Sequence, residues 1–133
     1  MPHLVIEYTA NLEADGDLPG LCNKAAAVLV SQQSDGKPVY PIGGVRVRAH
    51  RIDTWCMADG QADYAFVHAN LKIGSGRPDA VKQATGDALF DTIKSHFAGI
   101  YASRYLALSM EINEFSEAGT WKHNNVHARF KRP

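Results

Sequence analysis

The run Leu71-Lys72-Ile73-Gly74-Ser75-Gly76-Arg77-Pro78-Asp79 decides the fold. It closes a strong strand, Tyr64 to Ile73, turns on Gly74-Ser75-Gly76-Arg77, and opens a helix at Pro78-Asp79. Proline near the first helical position has a preset φ, and the N–H it lacks would have had no partner there. An aspartate in the first turn complements the exposed N–H groups. Beyond the turn, Val81, Ala84, Ala88, Leu89, Ile93, Phe97, Ile100 and Tyr101 recur at helical spacing, which predicts one long helix with an apolar stripe. Leu106-Ala107-Leu108-Ser109-Met110-Glu111-Ile112 reads as the next strand. A strand-helix-strand unit of this kind pairs its two strands in parallel through a right-handed crossover.

The first half of the chain repeats that layout with little residue identity. Residues 2–8 form a strand rich in apolar and β-branched side chains, and Asn11 to Asp17 is a polar loop. Asp17-Leu18-Pro19 starts a helix, along which Leu18, Leu21, Cys22, Ala25, Val28 and Leu29 keep helical spacing. The helix fades at Ser31 to Ser34, and Gln33 to Pro38 reads as a loop. Val45-Arg46-Val47-Arg48-Ala49-His50 then alternates strictly, a strand with Arg46, Arg48 and His50 on one face. Met57-Ala58-Asp59-Gly60 is a turn. The tail, Trp121 to Pro133, is mixed and basic, and suits a short hairpin strand or a last helical turn. The fold class is therefore α+β: one domain over residues 1–133, ordered β-α-β-β-α-β, with a four-stranded mixed sheet, two helices on one face, and short C-terminal elements. No third layer is available for the other face. Val, Leu, Ile and Phe on both faces of several strands predict oligomerisation through it.

The 133 residues carry 14 basic and 14 acidic side chains, so net charge draws the protein neither to nucleic acid nor to a membrane surface. No segment reaches the roughly 20 apolar residues of a membrane span, and the amino-terminal segment is a strand rather than a secretion signal. Cys22 and Cys56 fit no metal or redox spacing and read as reduced thiols of a cytosolic protein. His3, His50, His68 and His96 lack metal spacing, and His123 and His127 have no third ligand, so no metal is expected. A nucleophile elbow, a Walker loop and an extended dinucleotide fingerprint are all missing.

Pro2 stands directly after Met1 and leads into the first strand. Once Met1 is removed, Pro2 has a secondary amine that can take up a proton near neutral pH and is aimed by the strand that follows. While Met1 remains, the same nitrogen is an amide and cannot act as a base. Arg46 and Arg48 share a strand face, and Arg77 sits at a glycine-rich helix entrance, where free N–H groups and a guanidinium suit an anion. Any one of these arginines in isolation reads as a salt bridge or a solvated side chain.

A set of runs in order carries a family resemblance: Met1-Pro2-His3, Asp17-Leu18-Pro19-Gly20-Leu21, Asp53-Thr54-Trp55, Met57-Ala58-Asp59-Gly60-Gln61, Asp63-Tyr64-Ala65-Phe66-Val67-His68, Leu71-Lys72-Ile73-Gly74 with Gly76-Arg77, and Asn124-Asn125-Val126-His127-Ala128. Over nearly the whole chain these resemble the 5-carboxymethyl-2-hydroxymuconate isomerase family, in the tautomerase superfamily of amino-terminal-proline enzymes. The resemblance implies a homotrimer with its sheets facing the centre. It implies isomerisation of a small polycarboxylate dienol to its 2-oxo tautomer, in homoprotocatechuate meta-cleavage degradation, without metal or cofactor. It places the catalytic proline on Pro2 and the substrate-binding arginines on Arg46 and Arg77, with Arg48 a weaker candidate. The Ser31 to Pro41 connection is longer than is usual in the family, which bears on a pocket wall or a subunit contact. Two other classes fit the same features: a superfamily enzyme acting on another enol or unsaturated acid, and a non-catalytic trimeric binding protein.

Overall fold

A computed structural model describes residues 1–131. Its elements run β1 (His3–Thr9), α1 (Leu18–Ser31), β2 (Gln33–Ser34), β3 (Lys37–Pro38), β4 (Arg46–Ile52), β5 (Tyr64–Gly74), α2 (Asp79–His96), α3 (Ala98–Ser103) and β6 (Tyr105–Phe115), with short 3-10 turns between and after them. The main sheet has the order β4-β1-β5-β6. β1 pairs parallel with β4, and β5 parallel with β6, as two crossover units require. The units join through an antiparallel β1–β5 pair, which sets His3 opposite Lys72. The start of β1, the start of β4 and the end of β5 therefore meet at one end of the sheet, although their sequence positions are far apart.

The pleat separates the two faces. Leu4, Ile6 and Tyr8 of β1 and Ala65, Val67, Ala69, Leu71 and Ile73 of β5 are buried beneath the helices. They pack against Leu18, Leu21, Ala25 and Leu29 of α1 and Leu89, Ile93 and Phe97 of the second helical segment. Asp17 caps α1 by accepting a hydrogen bond from the Gly20 N–H at 3.1 Å.

Three expectations are corrected. The stripe from Val81 to Tyr101 is not one helix. At Phe97 (φ −98°, ψ 10°) the chain leaves helical geometry for one residue, which keeps that ring in the core, and α3 then leads into β6. Residues 33–38 are not a plain loop but a small hairpin, β2 with β3, turning on Asp35 (φ 53°) and Gly36 (φ 74°). Two adjacent positive φ values are what a tight turn with the twist of its strands needs, and Asp-Gly supplies them. The helix-free sheet face is also more polar than expected. It carries His3, Glu7, Arg48, His50, His68, Asn70, Lys72, Ser109, Glu111 and Asn113, interspersed with Val5, Ile52, Tyr64, Phe66, Tyr105 and Ala107. On this face His68 bridges Ser109 (2.7 Å) and Glu111 (3.1 Å), and Asn113 donates to Asn70 (2.8 Å).

Candidate active site

Pro2, Arg46 and Arg77 come together at the sheet end where β1 begins. Pro2 is buried. Its carbonyl accepts the Arg46 N–H at 3.1 Å, the first rung of the β1–β4 ladder. The Arg46 guanidinium folds back over the amino terminus, with Nη1 2.9 Å from the Met1 sulfur and 3.4 Å from the Gly44 carbonyl. Arg77 reaches in from the β5–α2 turn. Its Nη1 donates to the Gly74 carbonyl at 3.0 Å and its Nη2 to the Val39 carbonyl at 3.3 Å.

Tyr40 fixes Arg77 from beneath. The guanidinium carbon lies 4.8 Å from the centre of the Tyr40 ring, an attractive cation–π placement. The ring is itself buried and exchanges a 3.0 Å hydrogen bond with the buried Thr85 hydroxyl of α2. The connection from α1 to β4 thus supplies Val39 and Tyr40 to the site.

Carboxylates pair with Arg51 and Arg104 at the opposite end of the sheet. Among the described residues neither Arg46 nor Arg77 forms an ion pair, and each offers its charge to the space around the amino terminus. Arg48, two residues along the open face, lies 3.2 Å from His3 Nδ1 instead.

The electrostatics of that space are recorded by the Met1 amine. It is held below its ordinary value of 8.0 by burial first, then by the Lys122 ammonium and the Arg77 guanidinium, with Arg46 adding less and Glu117 opposing. His3 is lowered as well, by burial and then by Arg48 and Arg46. Both directions follow from a pocket that disfavours a further positive charge.

The tail closes the site. Asn124 donates to the Gly43 carbonyl at 2.9 Å and approaches the Met1 sulfur at 3.8 Å. His127 packs on Gly43 so closely that a β-carbon there would lie 2.8 Å from the His127 α-carbon. Asn124 and His127 belong to the resemblance, but the sequence held no signal that they fold back onto residues 43–44. Glu117 and Lys122 were likewise not anticipated. Among the described residues no group of three or more His, Cys, Asp or Glu side chains is arranged to hold a metal ion, and no helix is long and apolar enough to cross a membrane.

Residues 2–130 match the family model described as 5-carboxymethyl-2-hydroxymuconate isomerase. The chain belongs to that family. It is 47% identical over 131 residues to the 5-carboxymethyl-2-hydroxymuconate Delta-isomerase of Escherichia coli, covering 98% of this chain and 100% of that one. A crystal structure of a family member from Deinococcus radiodurans R1 superposes with a TM-score of 0.91 at 48% identity, over 98% of this chain and 95% of that one. A second crystal structure, of a 5-carboxymethyl-2-hydroxymuconate delta-isomerase, gives 0.93 at 32% identity, over 100% and 95%. The four-stranded sheet with its two main helices is thus the family's fold.

Proposed function

We propose that this chain isomerises 5-carboxymethyl-2-hydroxymuconate to its 2-oxo tautomer in the degradation of homoprotocatechuate, as a cytoplasmic homotrimer, with Pro2 as the base after removal of Met1. One observation carries the reading: Arg46 and Arg77, neither in an ion pair among the described residues, converge on the buried Pro2. A substrate with several carboxylates supplies the anions these guanidinium groups lack.

The chemistry needs one proton carrier. The neutral Pro2 amine takes the enol O–H proton, and the electron pair released runs through the conjugated chain as a dienolate. The protonated amine then delivers the proton to carbon, leaving the 2-oxo product and the amine as it began. Burial and surrounding cations disfavour the ammonium form, so the amine is free to act near neutral pH. Arg46 and Arg77 hold carboxylates and oppose the negative charge that builds on the dienolate, an interaction strongest as the charge develops.

The test is Arg77→Ala. Loss of a fixed cation facing developing charge lowers kcat by on the order of 10²-fold, while circular dichroism stays that of the wild type. Unchanged turnover would refute the assignment. Assaying the tri-acid beside phenylenolpyruvate separates this reading from a tautomerase of simpler enols, which would favour the latter.

A further inference from the structure

Three carboxylates on a substrate call for more than two cations, and the tail supplies a third. The segment from β6 to Asn124 is anchored on both sides of the amino terminus. Upstream, the Ser75 N–H donates to the Phe115 carbonyl at 3.0 Å, tying the end of β6 to the turn that carries Arg77. Ser116 caps the next turn, and the Thr120 hydroxyl bonds back to its carbonyl at 2.7 Å. Glu117 and Arg77 both approach Gly74: a β-carbon there would be 3.5 Å from Glu117 Oε1 and 3.9 Å from Arg77 Nη1. Downstream, Asn124 is fixed to Gly43. Lys122 lies between these anchors, two residues before Asn124, and its charge acts on the Met1 amine more strongly than that of either arginine.

We propose that Lys122 binds the third carboxylate of the substrate, and that Glu117 occupies this position until the substrate displaces it. The inference rests on the reading above that the substrate is a tri-acid. The Lys122–Glu117 contact is suited to exchange. At 3.6 Å, with both side chains in contact with solvent, it is longer than a charge-assisted hydrogen bond and is weakly held. Arg48 is a poorer third cation, being turned to His3 along the open face. Three cations facing one weakly held carboxylate match a trianion better than a dianion.

The experiment compares Lys122→Met and Lys122→Arg with the wild type on 5-carboxymethyl-2-hydroxymuconate and on 2-hydroxymuconate, the same dienol without the carboxymethyl group. Lys122→Met is expected to lower kcat/KM for the tri-acid by about 10- to 100-fold, chiefly through KM, equivalent to losing one charge-assisted contact. Because Lys122 also acts on the terminal amine, both substrates are compared on the high-pH plateau, where Pro2 is neutral in every variant; there turnover of 2-hydroxymuconate stays within about threefold, and Lys122→Arg recovers most of the tri-acid loss. Equal losses on the two substrates, or no loss on either, overturn the inference while leaving the proposed function standing. A wild-type protein that fails to turn over the tri-acid overturns both.

Discussion

The nitrogen of Pro2 carries two different chemistries according to whether Met1 is attached. As an amide it is neither acid nor base; as an amine it titrates where burial and three cations place it. The Met1 amine, one residue further out, already lies below 8.0 for those reasons. Protonation blocks a base, so activity appears as pH rises through the amine pKa. Because the pocket disfavours the ammonium, that rise comes at lower pH than for an ordinary α-amino group at ~8. The kcat/KM profile of the processed protein is therefore expected to have its half-maximal point below that value. Glu117→Gln removes the one opposing charge and moves the limb to still lower pH. A limb unmoved by Glu117→Gln, or lying above that of a free amine, would count against Pro2 as the base. Protein with Met1 retained shows no activity at any pH. At this scale a start, a strict alternation and a glycine turn mark Pro2, the Arg46–Arg48 face and Arg77 as candidates, while the choice of Arg46 over Arg48 comes from the family resemblance. Tyr40, Thr85, Glu117 and Lys122 have no such mark, since their partners lie on other elements and come near only after folding.

Among the elements, the tail and the 3-10 turn at residues 42–44 form one unit around a glycine. Gly43 is buried, and a β-carbon there would meet the His127 backbone nitrogen at 2.9 Å and its α-carbon at 2.8 Å. Backbone cannot yield as a flexible side chain can, so Gly43→Ala should undock the tail, taking Asn124 and Lys122 away from the amino terminus. The expected outcome is faster amide exchange and proteolysis over residues 120–130, with lower turnover and little change in the main thermal transition, because the core under α1 and α2 is untouched. Unaltered exchange over the tail would show that the contact is dispensable. Element by element, the strand and helix order is legible in the periodicity, since alternation and 3.6-residue spacing are local. The break at Phe97 is less so: Ala98-Gly99-Ile100-Tyr101 keeps the apolar spacing of a continuous helix, and only the packing of Phe97 in the core divides it. The hairpin had its signal in Asp35-Gly36, outweighed by the polarity of its surroundings.

Across the whole molecule, the open sheet face presents polar pairs such as His68 with Ser109 and Glu111, which in the proposed homotrimer would set how copies fit together. Its composition favours a specific, hydrogen-bonded association over a greasy one. The antiparallel β1–β5 pair has another outcome. It gathers Arg46, Lys72 and Arg77 at one end of the sheet, where Asp79 and Glu114 are taken up by Lys82 and Glu117 by Lys122, and leaves Asp15, Asp53 and Asp63 at the other, where Arg51 and Arg104 answer only part of that charge. Zero net charge thus conceals a molecule polarised from end to end. An approaching trianion feels a torque as well as an attraction, and arrives facing the mouth of the site. Raising salt shortens the reach of that field to about 3 Å at 1 M. Turnover of the tri-acid at limiting concentration should accordingly fall as salt is added, while kcat at saturation stays level; a kcat/KM indifferent to salt would mean that substrate finds the site by chance collision alone.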